Sequence, residues 1–237
     1  MSAIQFKDLG TMPYDEALAF QLTHFKKIIE LKTLKRNQKS NLETPNFFFF
    51  VSHPHVYTLG RNGSDTNILL NQQQLQERNI AFYHTNRGGD STYHGPGQIV
   101  GYPILDLDYF FSDIHKFMRL LEEVIILTIE EFGLKGERSL GETGVWLDVG
   151  TSKARKICAM GVHTSRWVTM HGFALNVNTD LTYFDGIIPC GITDKGVTSL
   201  AQELQKNIDE EKVKKIISKH FLAIFKTKFI SYQGIDK

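Results

Sequence analysis

The chain has 237 residues, enough to bury a sizeable core, and its 41% apolar and 22% charged residues are those of an ordinary globular protein. Lys plus Arg (27) nearly balances Asp plus Glu (26), leaving a formal charge of +1, so nothing in bulk charge favours nucleic acid or a membrane surface and any basic patch must be local. Two cysteines make no disulfide framework, Met1 to Leu9 has neither a signal-peptide core nor transit-peptide character, and no run reaches membrane-spanning length; a reducing compartment, the cytoplasm, is expected.

Ile4 to Leu9 alternates weakly and reads as a first strand. Tyr14, Leu18, Leu22, Phe25 and Ile29 recur at spacings of three and four, which predicts an amphipathic helix on a core. Lys32 to Asn46 is polar and lysine-rich and reads as a surface loop, an insertion with no assigned role; it lacks the interleaved aromatics that nucleic acid would need. Phe47 to Val51 is too short for a buried helix and apolar throughout, so it predicts a central strand. Ser52 to Arg61 forms its exit and a further extended piece. A short Gln-rich helix over Ile68 to Arg78 and a strand over Ile80 to His84 come next.

That strand delivers the chain to Arg87-Gly88-Gly89-Asp90-Ser91-Thr92-Tyr93-His94-Gly95-Pro96-Gly97-Gln98, four glycines and a proline set beside Arg, Tyr and His. Glycines permit sharp turns or close approach of a ligand, and the polar residues between them could hold it. A solvated hairpin would need none of those polar groups. The stretch runs into Ile99 to Leu105, a buried strand able to anchor a functional loop. A phosphate-cradling P-loop is excluded because no Gly-Lys-Ser/Thr is present, and a dinucleotide fingerprint because the glycine spacing is wrong and Pro96 lacks an N–H.

Ser112 or Asp113 can cap a helix with Ile114, Phe117, Leu121, Val124, Leu127 or Thr128, and Phe132 on its apolar face, ended by Gly133. Gly144 to Val149, Lys156 to Thr164 and Val168 to Val177 read as strands, the last two joined by a turn around Ser165-Arg166. Asp209, Glu210 and Glu211 open a final helix bearing Val213, Ile216, Ile217, Phe221 and Ile224. Strands outnumber helices without strict alternation, which predicts an α+β fold: a mixed or antiparallel sheet with packed helices. Residues 1–237 read as one catalytic domain, with 187–237 a candidate smaller subdomain.

Two cysteines compete for chemistry. Cys190 sits between Pro189 and Gly191 in an uncrowded turn that suits a nucleophile, whereas Cys158 lies in an apolar strand and reads as core. A thiol near its reference pKa of about 8.5 needs a cationic or basic neighbour at neutral pH. Lys156, Lys153, Arg155, His171 and His94 are candidates, and spacing does not choose among them; Lys156 opens an otherwise apolar strand. A zinc site from His53, His55 and His84 or Cys158 matches no established ligand spacing.

Taken together, Arg87-Gly88-Gly89, Thr92 to Gln98, Tyr102-Pro103, Gly144-Val145-Trp146, Lys156-Ile157 through Gly161-Val162, His171 to Asn176 and Pro189-Cys190-Gly191-Ile192 closely resemble the lipoate-biosynthesis octanoyltransferases known as LipB, in order and spacing from about Gly10 to Leu204. The resemblance implies a fold similar to that of biotin and lipoate protein ligases. It implies transfer of an octanoyl group from octanoyl-acyl carrier protein to a lysine of lipoyl domains, those of 2-oxoacid dehydrogenase complexes and the glycine cleavage H protein, by a monomer with no cofactor. It implies Cys190 as acyl-accepting nucleophile and Lys156 as its activating partner. Arg87, Gly88, Gly89, Asp90, Ser91, Thr92, Tyr93 and His94, with Ala159, Met160, Gly161, His171, Gly172 and Phe173, are then the substrate-binding residues, Tyr93 and Phe173 lining the acyl tunnel. Two departures stand out: Ser52 precedes His53-Pro54 where an acidic residue is usual, and Met160 fills a position usually small or aliphatic, which bears on acyl length. An ATP-dependent lipoate or biotin ligase and a non-catalytic carrier-binding protein are the rival readings.

Overall fold

The computed structural model describes residues 3–38, 43–188 and 195–235. In chain order its elements are β1 (Ala3–Thr11), α1 (Tyr14–Gln38), β2 (Asn46–Ser52), β3 (Val56–Leu59), α2 (Gln72–Glu77), β4 (Ala81–His84), β5 (Ser91–His94) and β6 (Gln98–Ile104). They continue with α3 (Ile114–Glu130), β7 (Glu137–Ser139), β8 (Glu142–Leu147), β9 (Arg155–Ser165), β10 (Val168–Asn176), β11 (Gly196–Val197), α4 (Leu200–Leu204), α5 (Glu210–Phe225) and β12 (Lys228–Ser231).

The phenylalanine run explains the layering. Side chains alternate across a strand, so Phe48 and Phe50 of β2 enter one core with Phe117, Leu121, Phe173 and Phe221, while Phe47 and Phe49 enter another with Ala17, Phe25 and Ile28 of α1. Helices α3 and α5 cover the first face and α1 the second, which is why β2 shows no polar alternation. The strand is central as expected: the main sheet runs β12-β1-β2-β6-β10-β9-β8-β7, with β11 added on β9. β1 pairs parallel with β2 and β12, whereas β6, β10, β9 and β8 are antiparallel neighbours, so the sheet is mixed. A second sheet, β4-β3-β5, encloses its own cluster of Tyr57, Leu75, Ile80, Tyr93, Phe184 and Ile187.

Several boundaries differ from the sequence reading for physical reasons. Lys32 to Gln38 is helix, not loop: Lys, Leu, Arg and Gln all favour helix, Lys35 and Arg36 suit its negative end, and Lys32 pairs with Asp106 and, at 2.8 Å, with Asp108. The Gln-rich helix shrinks to six residues because Asn71 forms a capping box with Gln74, while Ile68 bridges to Ile187. A third of the glycine stretch, Ser91 to His94, is a buried strand paired with β3. Short elements β7, β11, α4 and β12 carry too little pattern to be read. Leu200, Ile208, Val213, Ile217, Phe221 and Phe225 join the same core as Phe117 and Leu121. No described helix is long and apolar enough to cross a membrane.

Candidate active site

Four backbone segments converge on a cleft between the two sheets. Arg87 to Asp90 forms its rim. The Gly88 N–H donates to Val162 O at 2.9 Å, docking the rim on β9, and the N–H groups of Gly60, Arg61 and Asn62 donate to the carbonyls of Asp90, Arg87 and Gly89. This close approach is what the glycines permit, since a Cβ on Gly161 would lie 2.5 Å from Gly88 O. Arg87 reaches inward, donating to Thr58 O at 2.8 Å and Thr58 Oγ1 at 2.9 Å, so its charge is spent on the wall. Asp90 accepts from Ser91 N and Asn67 Nδ2, both at 2.6 Å. Its carboxylate therefore shapes the turn.

The cleft encloses about 510 Å³, counting its open mouth. Arg87, Gly89, Asp90, Ser91, Thr92, His94, Lys156, Ala159, Met160, Gly161, His171, Gly172 and Phe173 all line it, joined by Tyr14, Val100, Tyr102 and Ala174. Gly88 lines an adjoining outer cavity that shares Lys156, Met160 and Gly161 with the cleft. Tyr93, expected in the tunnel lining, is placed elsewhere. Strand alternation turns it to the opposite face of β5, where it stacks on Tyr183 at 5.2 Å and hydrogen-bonds His55 Nδ1 at 2.8 Å; burial raises its phenol pKa far above the usual value.

One end of the cleft is walled by rings whose polar tips are turned outward. Tyr14 OH donates to Thr85 Oγ1 at 3.0 Å. His53 must donate Nδ1–H to Met12 O, a carbonyl, so its Nε2 accepts the proton of Tyr102 OH at 2.8 Å. A second cascade sets His94. Asn176 Nδ2 donates to Thr198 O, Gln98 Nε2 donates to Asn176 Oδ1 and to Tyr93 O, and Gln98 Oε1 is thereby left to accept from His94 Nδ1 at 2.8 Å. His94 thus carries its proton on Nδ1 and none on Nε2. Burial, then neighbouring His53, hold its pKa well below the ordinary value; burial, opposed by the bond to Met12 O, takes His53 to about 4, and burial with Arg87 takes His171 to about 3. All three rings are neutral at physiological pH; His94 and His171 line the cleft with Val100, Ala174, Met160 and Phe173 and offer apolar faces to a ligand tail, while His53 stands behind them holding Tyr102.

The other end carries the amine. Lys156 is buried at the start of β9, where the register against β8 shifts between Val145 and Trp146. Such a bulge re-aims side chains: Ile157 and Cys158 both enter the core while Lys156 lines the cleft. Its Nζ stands 4.6 Å from the Trp146 ring centroid, and Lys195, ion-paired to Glu142 at 2.6 Å, stands 5.2 Å from the same ring. Its backbone is held too, the Thr198 N–H donating to Lys156 O at 2.9 Å. Lys153 and Arg155 are not brought to the cleft; Arg155 is ion-paired with Glu203 and Asp148. Cys158 is fully buried, and burial pushes its thiol pKa far up, which fits a core residue. Cys190 lies outside the described residues. The described chain on either side of it is tied to this site: Ser91 Oγ donates to Ile188 O at 2.7 Å, and Lys195 shares the Trp146 ring with Lys156.

His171 has φ +61°, a left-handed conformation within a strand; its N–H donates to Gln21 Oε1 at 2.8 Å and its ring bonds Asn86 at 2.7 Å. Such strain persists where surrounding structure over-determines it, commonly at functional sites. Among the described residues no cluster of three or more His, Cys, Asp or Glu could hold a metal, and both nitrogens of His53 are engaged as above. Tyr14, Tyr102, Gln98, Asn176 and Trp146 were not read as site residues. Gln98, Tyr102, Trp146 and Asn176 do lie within the motifs that carry the family resemblance, which is the signal that could have found them, whereas Tyr14 signals only the apolar face of a helix.

Residues 14–222 match the lipoyl protein ligase A/B catalytic domain. Among curated relatives, an octanoyltransferase of Christiangramia forsetii is 59% identical over 231 residues, covering 97% of this chain and 98% of its own. One from Cytophaga hutchinsonii is 51% identical over 226 residues, covering 94% and 93%. Among solved structures, a lipoate-protein ligase A bound with ATP superposes with a TM-score of 0.69 at 15% identity, over 98% of this chain and 88% of that one. At that identity the likeness speaks to the fold, which is the expected one.

Proposed function

The chain belongs to the lipoyl protein ligase A/B catalytic-domain family as an octanoyltransferase of lipoate biosynthesis, and we propose that it works through an acyl-enzyme thioester on Cys190, activated by Lys156. The donor is octanoyl-acyl carrier protein and the acceptor a lipoyl-domain lysine. The observation that carries this reading is the place of Lys156: buried on Trp146 at the junction of a ring-walled cleft and an outer cavity, with the residues that bracket Cys190 in sequence held nearby, Ile188 by Ser91 of the cleft wall and Lys195 by the Trp146 ring.

In the first half-reaction the Cys190 thiolate attacks the octanoyl carbonyl carbon, a new C–S bond forms, the carrier C–S bond breaks, and the departing carrier thiolate takes a proton. The Lys156 ammonium favours the Cys190 thiolate electrostatically. The apolar tail lies along Val100, Met160, Phe173 and Ala174, each buried CH₂ contributing about 0.8 kcal/mol. In the second half-reaction a neutral acceptor amine attacks the thioester from the outer cavity, the C–N bond forms, Cys190 leaves as thiolate, and the amine's proton passes to a base. A thioester is already activated, so ATP has no part in either half. Rim N–H groups at the glycine turn can stabilise the tetrahedral oxyanion.

Intact mass spectrometry after incubation with octanoyl-acyl carrier protein tests the reading. One octanoyl adduct, removed by hydroxylamine, is expected on wild type and on Cys158→Ala and none on Cys190→Ala. A Cys190→Ala protein that still modifies a lipoyl domain from free octanoate and ATP would establish ligase chemistry instead.

A further inference from the structure

Asp90 stands at the junction of the cleft and the outer cavity, lining both together with Lys156. Each of its oxygens is nevertheless committed to the protein: Oδ1 accepts from Ser91 N and Oδ2 from Asn67 Nδ2, both at 2.6 Å. The carboxylate fits there because residue 63 is glycine; a Cβ on Gly63 would lie 2.6 Å from Oδ1.

The two donors share a second partner. Asn67 O accepts from the Ile188 N–H at 2.8 Å, and Ser91 Oγ donates to Ile188 O at 2.7 Å. Four hydrogen bonds thus close a ring, from Asp90 to Asn67 to Ile188 to Ser91 and back, that grips Ile188 by both of its backbone polar groups. Antiparallel backbone pairing holds the chain just before it, Gly186 O accepting from Leu69 N and Ile187 bridging Ile68, and that pairing ends with the Ile188 N–H. At Ile188 O a side chain takes over. Both the last pairing carbonyl, on Asn67, and that side chain, Ser91, are fastened by Asp90.

Ile188 precedes Cys190 by two residues, and two residues of chain span at most about 7 Å. We infer that Asp90 is a positioning residue for the acyl-accepting thiol: its carboxylate fixes the point from which the Cys190 segment leaves the second sheet, and through it the approach of Cys190 to Lys156. This rests on the transferase reading above. It replaces the substrate-binding role that the family resemblance implies for Asp90. The ring needs an acceptor facing Ser91 N and an acceptor–donor pair between positions 90 and 67, and the second requirement can be met with its direction reversed.

That reversal is the test. Asn67→Asp sets a second carboxylate against Asp90 and removes the donor; adding Asp90→Asn supplies a donor from the other side and still leaves Ser91 N an oxygen to bond. Two readouts are taken on proteins that also carry Cys158→Ala. One is single-turnover acylation by octanoyl-acyl carrier protein, followed by intact mass, and the other is the pH dependence of alkylation of the remaining thiol by iodoacetamide. For Asn67→Asp the maximal acylation rate should fall about tenfold with the half-saturating donor concentration unchanged. Its alkylation midpoint should rise toward about 8.5, the value of a thiol without a cationic neighbour. The reversed pair should recover most of both. Ser91→Ala opens the ring on its other side and should move both readouts in the same direction, which carries the test if thermal melts show that Asn67→Asp does not fold; an unmoved midpoint in Ser91→Ala counts against the inference. A reversed pair no better than Asn67→Asp alone overturns it. So does a rise in the half-saturating donor concentration with the alkylation midpoint unmoved, which would make Asp90 a donor-binding residue. If wild type itself gains no octanoyl adduct on Cys190, the transferase reading has failed before any variant of the ring is made, and the inference falls with it.

Discussion

Gly161→Ala is the sharpest probe of the site because the collision it creates is with backbone. The new Cβ would stand 2.5 Å from Gly88 O, and nearest contacts of real Cβ atoms begin at about 3.0 Å, so rim and strand must part by at least 0.5 Å. Gly161 is free of backbone strain of its own, since its φ is not positive. The displacement falls on the hydrogen bond from Gly88 N to Val162 O, which docks the rim on β9. Overpacking of this kind costs about 1–3 kcal/mol of stability. A misplacement approaching 1 Å at a reacting centre can cost as much as about 100-fold in rate. We expect kcat/KM for octanoyl transfer to fall roughly 10- to 100-fold while the protein still unfolds cooperatively. Gly196→Ala is the control, because its Cβ meets only Arg155 Cβ at 3.6 Å. Steady-state transfer and thermal melts on both variants decide the matter: a Gly161→Ala enzyme within twofold of wild type would refute the rim as a wall of the reacting site.

Asn176→Asp removes the amide that donates to Thr198 O, the residue whose N–H holds Lys156 O; kcat should drop about tenfold with KM little changed, and a proportionate rise in KM would instead place the effect in binding. Glu122 is fully buried and accepts from Arg119 at 2.7 Å, Arg138 at 3.1 Å and Gly144 N at 3.1 Å. Because both guanidinium groups stay partly solvated, Glu122→Ala should cost toward the lower end of the range for a broken buried pair, about 3 kcal/mol by urea titration. His53 and His171 are buried neutral, with pKa values lowered to about 4 and about 3. Their unfolded rings bind protons near pH 6.5, so the stability they contribute is whole above that pH. It is lost as pH falls toward those folded values, at about 1.4 kcal/mol per unit for each ring. Urea stability that stays flat from about pH 7 to about pH 5 would contradict this, and His53→Gln should reduce the slope by one ring's share.

The periodicities carried most of the architecture. Apolar spacing placed α1, α3 and α5, the four phenylalanines marked the central strand, and helix caps at Asp113 and Asp209 were legible as residue types. The short elements β11, α4, β7 and β12 were not, because they hold too few side chains to show a period. The extension of α1 through Gln38 was missed since its last turns carry no apolar stripe and rest on ion pairs to Asp106 and Asp108, 74 or more residues away in the chain.

For the site, composition and motif order were enough to single out a glycine-rich wall, a lysine at the head of an apolar strand and a strand carrying His171 beside Gly172. Those are properties of residue types in local order. Which way each side chain points is not local. Tyr93 and His94 are adjacent, yet only His94 faces the cleft, because β5 pairs with β3 and alternation sends its neighbour to the aromatic cluster. Lys156 reaches the cleft because a bulge against β8 shifts the register. The protonation of His94 is set by Thr198 O, two amides away across the core. Sequence alone determined which chemical groups are available and roughly where along the chain; pairing, register and long-range hydrogen bonds, which exist only once distant segments meet, decided which of them share a cleft and in what charge state.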